Sequence, residues 1–451
     1  ELLVGFTATP DPGTGSFQEL LTDSTGNYSL CFLRVQRNQL NLGVIHRPSE
    51  IPVWSAAVER FPNWDGGETR VLFNGSLVLA SGVTGEVYWS TQTSGDRVFL
   101  SDSSNLVVQK FSGGITLWQS FDFPSDTLVE NQNFTPAMAL VSANGLYSMK
   151  LGHDFFGLYQ KIAGQVPGSG QMYFRHGALQ AKAEIRNGQP VYLILEPDGF
   201  LGMFQNSLIP VDVLAFNTFQ RNMTGNRRVR LESDGNLKAY YWTGSGWVLD
   251  YQAITDFCDL PRSCGSYGLC RQGAGCSCLD NRTEFSSGGC APAEDENSGG
   301  LCGGGRFKIL RRSGVELPFK ELMGYRKTAS MEACEATCAA NCTCWGVVYS
   351  NSSGFCYSVD YPVETLVAVD DGTKMGYFKV REGVRRSGGG LGAWFGAVLG
   401  AVFGVSLILL GIIGVRMYIL KRRGIELEEG MESGVGPYKD LGSESSRSIE
   451  L

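Results

Sequence analysis

The feature that most restricts the fold is a repeat. Leu77-Val78-Leu79 is followed by Trp89, and Leu106-Val107-Val108 by Trp118, at one fixed offset that also brings Gly85 onto Gly114. A third copy upstream runs from Leu42 to Trp54 with the same gap. Alternating apolar residues, a glycine turn and a return strand ending in Trp describe a hairpin repeated three times. No single hairpin buries a Trp alone, but three packed around a shared axis do, so the first part of the chain should close into an all-β domain. The 59 glycines suit many short strands joined by tight turns.

Charge and cysteine use then exclude whole classes of function. A net charge of −7, with no basic stripe in the first 380 residues, argues against nucleic acid as a partner. Twelve of the 13 cysteines lie between Cys258 and Cys356, clustered as small secreted modules cluster them. Sequons start at Asn27, Asn74, Asn133, Asn222, Asn281, Asn341 and Asn351. All precede the apolar stretch Leu391–Val415, which carries no charged residue. As a helix it reaches ~37 Å, enough to span a ~30 Å hydrocarbon core. Trp394 and Tyr418 flank it, and Arg416, Lys421, Arg422 and Arg423 follow it; Arg381, Arg385 and Arg386 precede it, so sequons and cysteines rather than charge set the direction. The reading is a type I single-pass plasma-membrane protein with its N-terminal region outside. Because the sequence begins at Glu1 without Met, a signal peptide is expected to have been removed.

GVIHRPSEIPVW, the repeated units and above all LWQSFDFPSDTLV (117–129) resemble the plant bulb-type (G-type) lectin domain of S-locus glycoproteins and S-receptor-like kinases. The resemblance continues through LEPDGFLGMF and LESDGNLKAYYW, which look like a second lectin-like domain. CDLPRSCGSYGLC (258–270) resembles the family's EGF-like module, and CEATCAANCTCWGVVYS (334–350) its PAN/apple module. The implied fold is mostly β, with two tandem β-prism lectin-like domains (1–142 and 143–253). An EGF-like module (254–292), an α+β PAN/apple module (302–381), a transmembrane helix (391–415) and a short disordered cytoplasmic tail (416–451) follow. The resemblance also implies disulfides Cys258–Cys270, Cys264–Cys276 and Cys278–Cys290, then Cys334–Cys356 and Cys338–Cys344, with Cys302 and Cys342 left to each other. MEACEATCAA reads as a helix that places Cys334 and Cys338 one turn apart. Such modules need staples, since they bury little core. A zinc site at the Cys-x-Cys pair lacks nearby His. The odd cysteine, Cys31 in NYSLCFLRVQ, reads as a buried strand thiol.

In bulb-type lectins the mannose site is written Gln-x-Asp-x-Asn-x-Val-x-Tyr, and alternate strand residues share a face. Asn105 and Val107 fit the Asn-x-Val portion, whereas Asp102 stands three residues before Asn105 rather than two. Ser101 and Gln109 hold the Gln and Tyr positions. The sister repeat has Leu72 and Ala80 at its ends and the sequon Asn74 in the Asp position. In the second domain Glu232, Asp234, Asn236, Lys238 and Tyr240 keep the spacing. There Glu in place of Gln removes the amide donor, and Lys in place of Val removes the apolar group that packs on a sugar ring. Glu196, Asp198, Phe200, Gly202 and Phe204 depart further from the pattern. The first-domain strand is expected to be worn, Asp-Gly-Asn at 234–236 to be hairpin turn chemistry, and any surviving sugar site to be the one at 232–240.

No catalytic constellation stands out. The three histidines, His46, His153 and His176, show no metal or triad spacing, Asp122 and Asp126 fall in the family's structural SFDFPSD segment, and no kinase motif follows the apolar stretch. No cofactor is implied. The expected function is a receptor-like or co-receptor ectodomain that binds a peptide, glycoprotein or partner receptor. The alternative is a membrane-anchored structural lectin holding mannose or wall glycan. Gly392, Gly396, Gly400 and Gly404 place small residues on one helical face, which suits self-association or pairing with receptor-like kinases. Tyr438 and Leu441 have the spacing of an endocytic sorting signal.

Overall fold

The computed structural model describes residues 1–36, 38–64, 67–162, 170–178, 191–205, 208–223, 225–280, 285, 289–290, 307–360, 363–381 and 411–419. Residues 1–383 form one compact body and 384–451 a second. The Gly392–Gly404 stripe, the Tyr438–Leu441 signal, Asn281 and Cys302 lie outside the described residues. In the second body residues 411–419 are helical. Among the described residues no helix is long and apolar enough to cross a membrane.

The first body begins with three four-stranded antiparallel sheets around one core. Tyr28–Gln36, Gln39–His46 and Ile51–Ser55 form the first meander, Thr69–Phe73, Leu77–Ser81 and Val87–Ser90 the second, and Arg97–Leu100, Leu106–Gln109 and Thr116–Gln119 the third. Each meander gains a fourth strand from the N-terminal segment, in reverse order: Leu2–Leu3 joins the third sheet, Thr7–Ala8 the second and Phe17–Thr22 the first.

The repeat found in the sequence corresponds to one geometric device. Val44 faces Trp54, Leu79 faces Trp89 and Val108 faces Trp118, and after each pair the register slips by a bulge. A bulge sharpens twist and re-aims the neighbouring side chain. The three indoles consequently meet edge to face, with ring centres 5.8, 5.8 and 5.7 Å apart. Each such pair adds ~0.5–1.5 kcal/mol beyond simple burial. Trp54 Nε1 also donates to the Phe123 carbonyl at 2.8 Å.

The architecture is then laid down a second time. Thr127–Val129, Asn133–Phe134 and Leu140–Val141 each join one sheet of a second three-sheet unit, again in reverse order. Its meanders are Tyr147–Leu151, Phe155–Lys161 and Gly170–Gly177; Tyr192–Glu196, Phe200–Phe204 and Asp212–Ala215; and Arg227–Leu231, Leu237–Trp242 and Trp247–Gln252. This corrects the boundary at 142/143: the strands of 127–141 pair only within the sheets of the second unit. Strands of two or three residues are too short to show periodicity, which is why they read as an extension of the first domain.

Beyond residue 254 the fold is held by disulfides. Cys258–Cys270, Cys264–Cys276 and Cys278–Cys290 close one set, and Cys334–Cys356 and Cys338–Cys344 belong to another. Cys342 is oxidised as well. The helix Met331–Ala339, capped by Ser330 Oγ on the Ala333 N–H, buries Met331, Cys334 and Cys338 against a five-stranded sheet. A boundary between 254–292 and 302–381 separates the cysteine sets but not two folding units. Gly268–Arg271 pairs in parallel with Leu366–Ala368, and Tyr267, Leu269, Val315 and Phe378 share one core. Non-local pairing of this kind leaves no local sequence signal.

Candidate functional site

The sugar-type motif lies on hairpins rather than on single strands. Residues 101–105 form the turn between Arg97–Leu100 and Leu106–Gln109, and 232–236 the turn between Arg227–Leu231 and Leu237–Trp242. The expectation that Asp102 faces away from Asn105 across one strand is therefore replaced. Asp102 sits in the exposed turn, where its carboxylate accepts the Ser24 hydroxyl at 2.6 Å.

Asn105 is engaged on both sides of its amide. Its Nδ2 donates to Gln119 Oε1 at 2.9 Å, and its Oδ1 accepts from Ser120 Oγ at 3.2 Å and the Phe121 N–H at 3.3 Å. Val107 is buried. Gln109 accepts from the Arg97 guanidinium at 3.0 and 2.6 Å and donates to the Gly114 carbonyl at 2.7 Å. Ser101 Oγ accepts the Asn105 N–H at 3.1 Å.

The 232–240 set is also satisfied within itself. Tyr240 donates to Glu232 Oε1 at 2.7 Å, and burial together with that acceptor pushes the phenol's pKa up. Lys238 Nζ pairs with Asp234 at 3.2 Å, while Asp234 Oδ1 accepts the Asn236 N–H at 2.8 Å in an Asx turn. Gly235 has φ +87, and a Cβ there would meet the Tyr147 ring at 3.0 Å. Asn236 is 3% exposed; its amide donates to the Ile254 carbonyl at 2.7 Å and accepts the Ile254 N–H at 3.0 Å.

One pattern joins these observations. Asn41, immediately before Leu42, donates to the Ala56 carbonyl at 3.1 Å, and at the matching position Ser76 Oγ meets Ser90 and Thr91 at 2.8 and 3.1 Å. Asn41, Asn105 and Asn236 each fasten the far end of the return strand. The residue that suggests a sugar ligand is thus a hairpin clamp. Its sequence signal is Asn directly before a strand leucine, at Leu42, Leu106 and Leu237. Elsewhere in the motif family, burial and the nearby Asp198 raise the Glu196 carboxyl pKa, and Gly202 stands beside the Phe204 ring.

The junction between the two units is a site that sequence reading missed. Tyr28 and His46 from the first unit meet Trp242 and Trp247 of the second: His46 lies 4.9 and 5.1 Å from the two indoles and 5.6 Å from Tyr28. Asn226 Nδ2 donates to the Tyr28 oxygen at 2.8 Å. Trp247 Nε1 donates to Ser49 Oγ at 2.9 Å, and that hydroxyl lies 2.8 Å from His46 Nδ1. The Arg228 guanidinium is stacked 4.4 Å from Trp247 and 5.1 Å from Tyr240. Burial and the Arg228 charge lower the His46 pKa to about 4, so this imidazole is neutral. Burial also lowers Arg228 to about 10 and raises Tyr28 to about 12. Two tryptophans flanking the Thr-Gly-Ser-Gly turn were the available signal.

The remaining candidates are placed as follows. Asn27, Asn74, Asn133, Asn222, Asn341 and Asn351 are all exposed. Cys31 is a free thiol, fully buried, its pKa pushed by burial to about 12. The sulfurs of Cys264, Cys270 and Cys276 lie within 4.8 Å of one another but belong to disulfides, leaving no thiolate for a metal. A cleft of about 430 Å³ opens beside the helix, lined by Met331, Met375, Arg311 and Glu335 among others. Arg311 forks onto both Glu335 oxygens at 2.8 Å.

Comparison with known proteins agrees with this architecture. Residues 39–150 match the D-mannose binding lectin family and residues 203–282 the S-locus glycoprotein domain. The chain is 48% identical over 453 residues to a PAN domain-containing protein of Arabidopsis thaliana, covering 100% of this chain and 92% of that protein. A G-type lectin S-receptor-like serine/threonine-protein kinase from the same plant is 28% identical over 373 residues, or 75% of this chain. The match takes in 44% of that kinase's length. Among solved structures, the fetuin-binding Scilla campanulata agglutinin, a two-domain lectin, matches at 15% identity with a TM-score of 0.22. It covers 55% of this chain and 98% of that one, a likeness too slight to build on. Lectin and PAN domain names are those of binding proteins rather than catalysts. With near-complete coverage at 48% identity and both domain matches in place, the chain belongs to the bulb-type lectin and S-locus glycoprotein family, as one of its PAN domain-containing members.

Proposed function

We propose that this protein is a cell-surface recognition molecule, anchored in the plasma membrane by residues 391–415 with its N-terminal region outside. Its two three-sheet units act as lectin-type β-prisms that recognise a peptide, glycoprotein or partner receptor rather than free mannose. The EGF-like segment around 258–290 and the PAN/apple segment to residue 381 extend that surface. The observation that carries this reading is the internal use of the Asn105 and Asn236 amides, which leaves neither free to meet sugar hydroxyls. A buried donor already paired gains little by exchanging partners.

The family relationship to S-receptor-like kinases supports a role as co-receptor, with the Gly392–Gly404 face pairing the helix with itself or with a receptor-like kinase. Calorimetry of the deglycosylated ectodomain with mannose and oligomannose tests the reading. No sub-millimolar binding is expected; sub-millimolar binding abolished by Asn236→Ala or Asn105→Ala, with the fold intact by circular dichroism, would return the protein to the sugar-holding class.

A further inference from the structure

Of the seven sequons only Asn341-Cys342-Thr343 has a cysteine in its middle position. The structure encloses this tripeptide in a ring: the Cys338–Cys344 disulfide joins residues six apart, on either side of it. Cys342 is itself oxidised. Inside the ring, Asn341 Oδ1 accepts both the Thr343 N–H and the Thr343 hydroxyl, each at 2.9 Å. Its carbonyl accepts Lys379 Nζ at 3.0 Å, and its N–H donates to the Cys338 carbonyl at 3.1 Å. The amide and the hydroxyl that a glycan transferase must engage are therefore bonded to each other, on a backbone fixed from both sides. Asn341 is nonetheless exposed, so access to the side chain is open and only its conformation is closed.

We infer that Asn341 is a conditional glycosylation site, whose occupancy is set by a race between glycan transfer and closure of the Cys338–Cys344 ring. The inference rests on the secretory route proposed above. Transfer joins Asn341 Nδ2 to the anomeric carbon of a lipid-linked pyrophosphate sugar, breaks the donor's sugar–phosphate bond and releases the amide proton. Ring closure turns two thiols into one disulfide, with two protons released and two electrons passed to an oxidised disulfide carrier of the thioredoxin-like class. The ring can form once Cys344 has been synthesised, because both of its cysteines then flank the sequon. Cys334–Cys356, spanning 22 residues, must wait for more chain. A ring that closes first locks the Asn341–Thr343 turn and ends acceptor competence. No other sequon holds a cysteine, so the remaining sites serve as internal controls.

The experiment expresses the full chain in secretory cells and measures glycan occupancy at every sequon by peptide mapping of whole-cell material, with isotope labelling during glycan removal. Because transfer occurs on the unfolded chain, variants that fold poorly still report. Partial occupancy is expected at Asn341, rising about two-fold or more in the Cys338→Ser/Cys344→Ser double variant. The same rise is expected in the unaltered chain when a reductant pulse is applied during synthesis, with little change at Asn27, Asn133 and Asn351. Full occupancy of Asn341 in the unaltered chain, or no rise under either treatment while the other sites carry glycan, overturns the race. Absence of glycan at every sequon overturns the secretory route, and the inference with it.

Discussion

Asn236 holds Ile254 by both of its backbone groups, donating to the carbonyl at 2.7 Å and accepting from the N–H at 3.0 Å. The pairing is buried, so each group deprived of its partner stays dry. Asn236→Ala leaves two such groups, at ~1–3 kcal/mol each. A drop of about 3 kcal/mol in denaturant-measured stability is expected, and Asn236→Asp should cost at least as much at neutral pH, because a carboxylate oxygen then faces the Ile254 carbonyl in a buried site. A change below ~0.5 kcal/mol for Asn236→Ala would show that the clamp has no structural role.

His46 gives the molecule a pH-dependent junction. Its folded pKa of about 4 lies below its ordinary value of 6.5. The unfolded chain therefore takes up the proton first as pH falls. The stabilising contribution is complete above pH 6.5 and declines as pH drops toward 4. The difference between the unaltered chain and His46→Gln should change by on the order of 3 kcal/mol over that window and be flat above it. Tyr28, raised to about 12, and Arg228, lowered to about 10, face the imidazole and titrate outside this window, so the difference isolates His46. Parallel stability curves for the two proteins would remove His46 as the cause.

The indole triad predicts coupled effects. Trp89→Ala should cost about 3 kcal/mol, since the ring is half-buried rather than fully enclosed. Trp54→Phe and Trp118→Phe should each cost less and fail to add, with a coupling of ~0.5–1.5 kcal/mol in a double-mutant cycle. Additive effects would mean that the three rings do not act as a cluster.

Lys379 is 2% exposed and points its ammonium at the Cys338 and Asn341 carbonyls, 2.9 and 3.0 Å away, at the end of the helix Met331–Ala339. Lys379→Met fills the space but removes the charged donor from both carbonyls, which keep only the backbone N–H groups of Asn341 and Cys344, for an expected destabilisation of about 1–3 kcal/mol. Amide exchange should accelerate in the helix before it does in the three-sheet units. Unchanged exchange in the helix would assign Lys379 no capping role.

The strong periodic parts of this fold are legible in the sequence. The Leu-Val-Leu…Trp spacing leads directly to three meanders with their tryptophans together, because strand register repeats where the hydrophobic pattern does. The lead strands at 2–3, 7–8, 127–129, 133–134 and 140–141 are not legible, since so few residues carry no pattern and their pairing is decided by distant partners. The motif at 99–109 reads as depleted from its residue types alone, but the role of Asn105 emerges only from its bonds to residues 119–121. The aromatic junction is hidden for the same reason: Tyr28, His46, Trp242 and Trp247 are brought together by the packing of two units and by nothing local.

The reverse order of the lead strands bears on how the protein is made. Leu2 pairs with Val98, and Thr127 with Arg230, so each unit places its earliest strand beside one of its latest. The contact order is high, and loop closure must be met before the pairing rewards it. On the ribosome the first unit cannot complete its third sheet until the meander ending at Gln119 has emerged, and by then the lead strands of the second unit follow directly. For that interval two sets of unpaired strand edges coexist on one chain, an arrangement that invites exchange between units. The differing side chains on the two sets, rather than the shared backbone plan, must keep each lead strand with its own sheets.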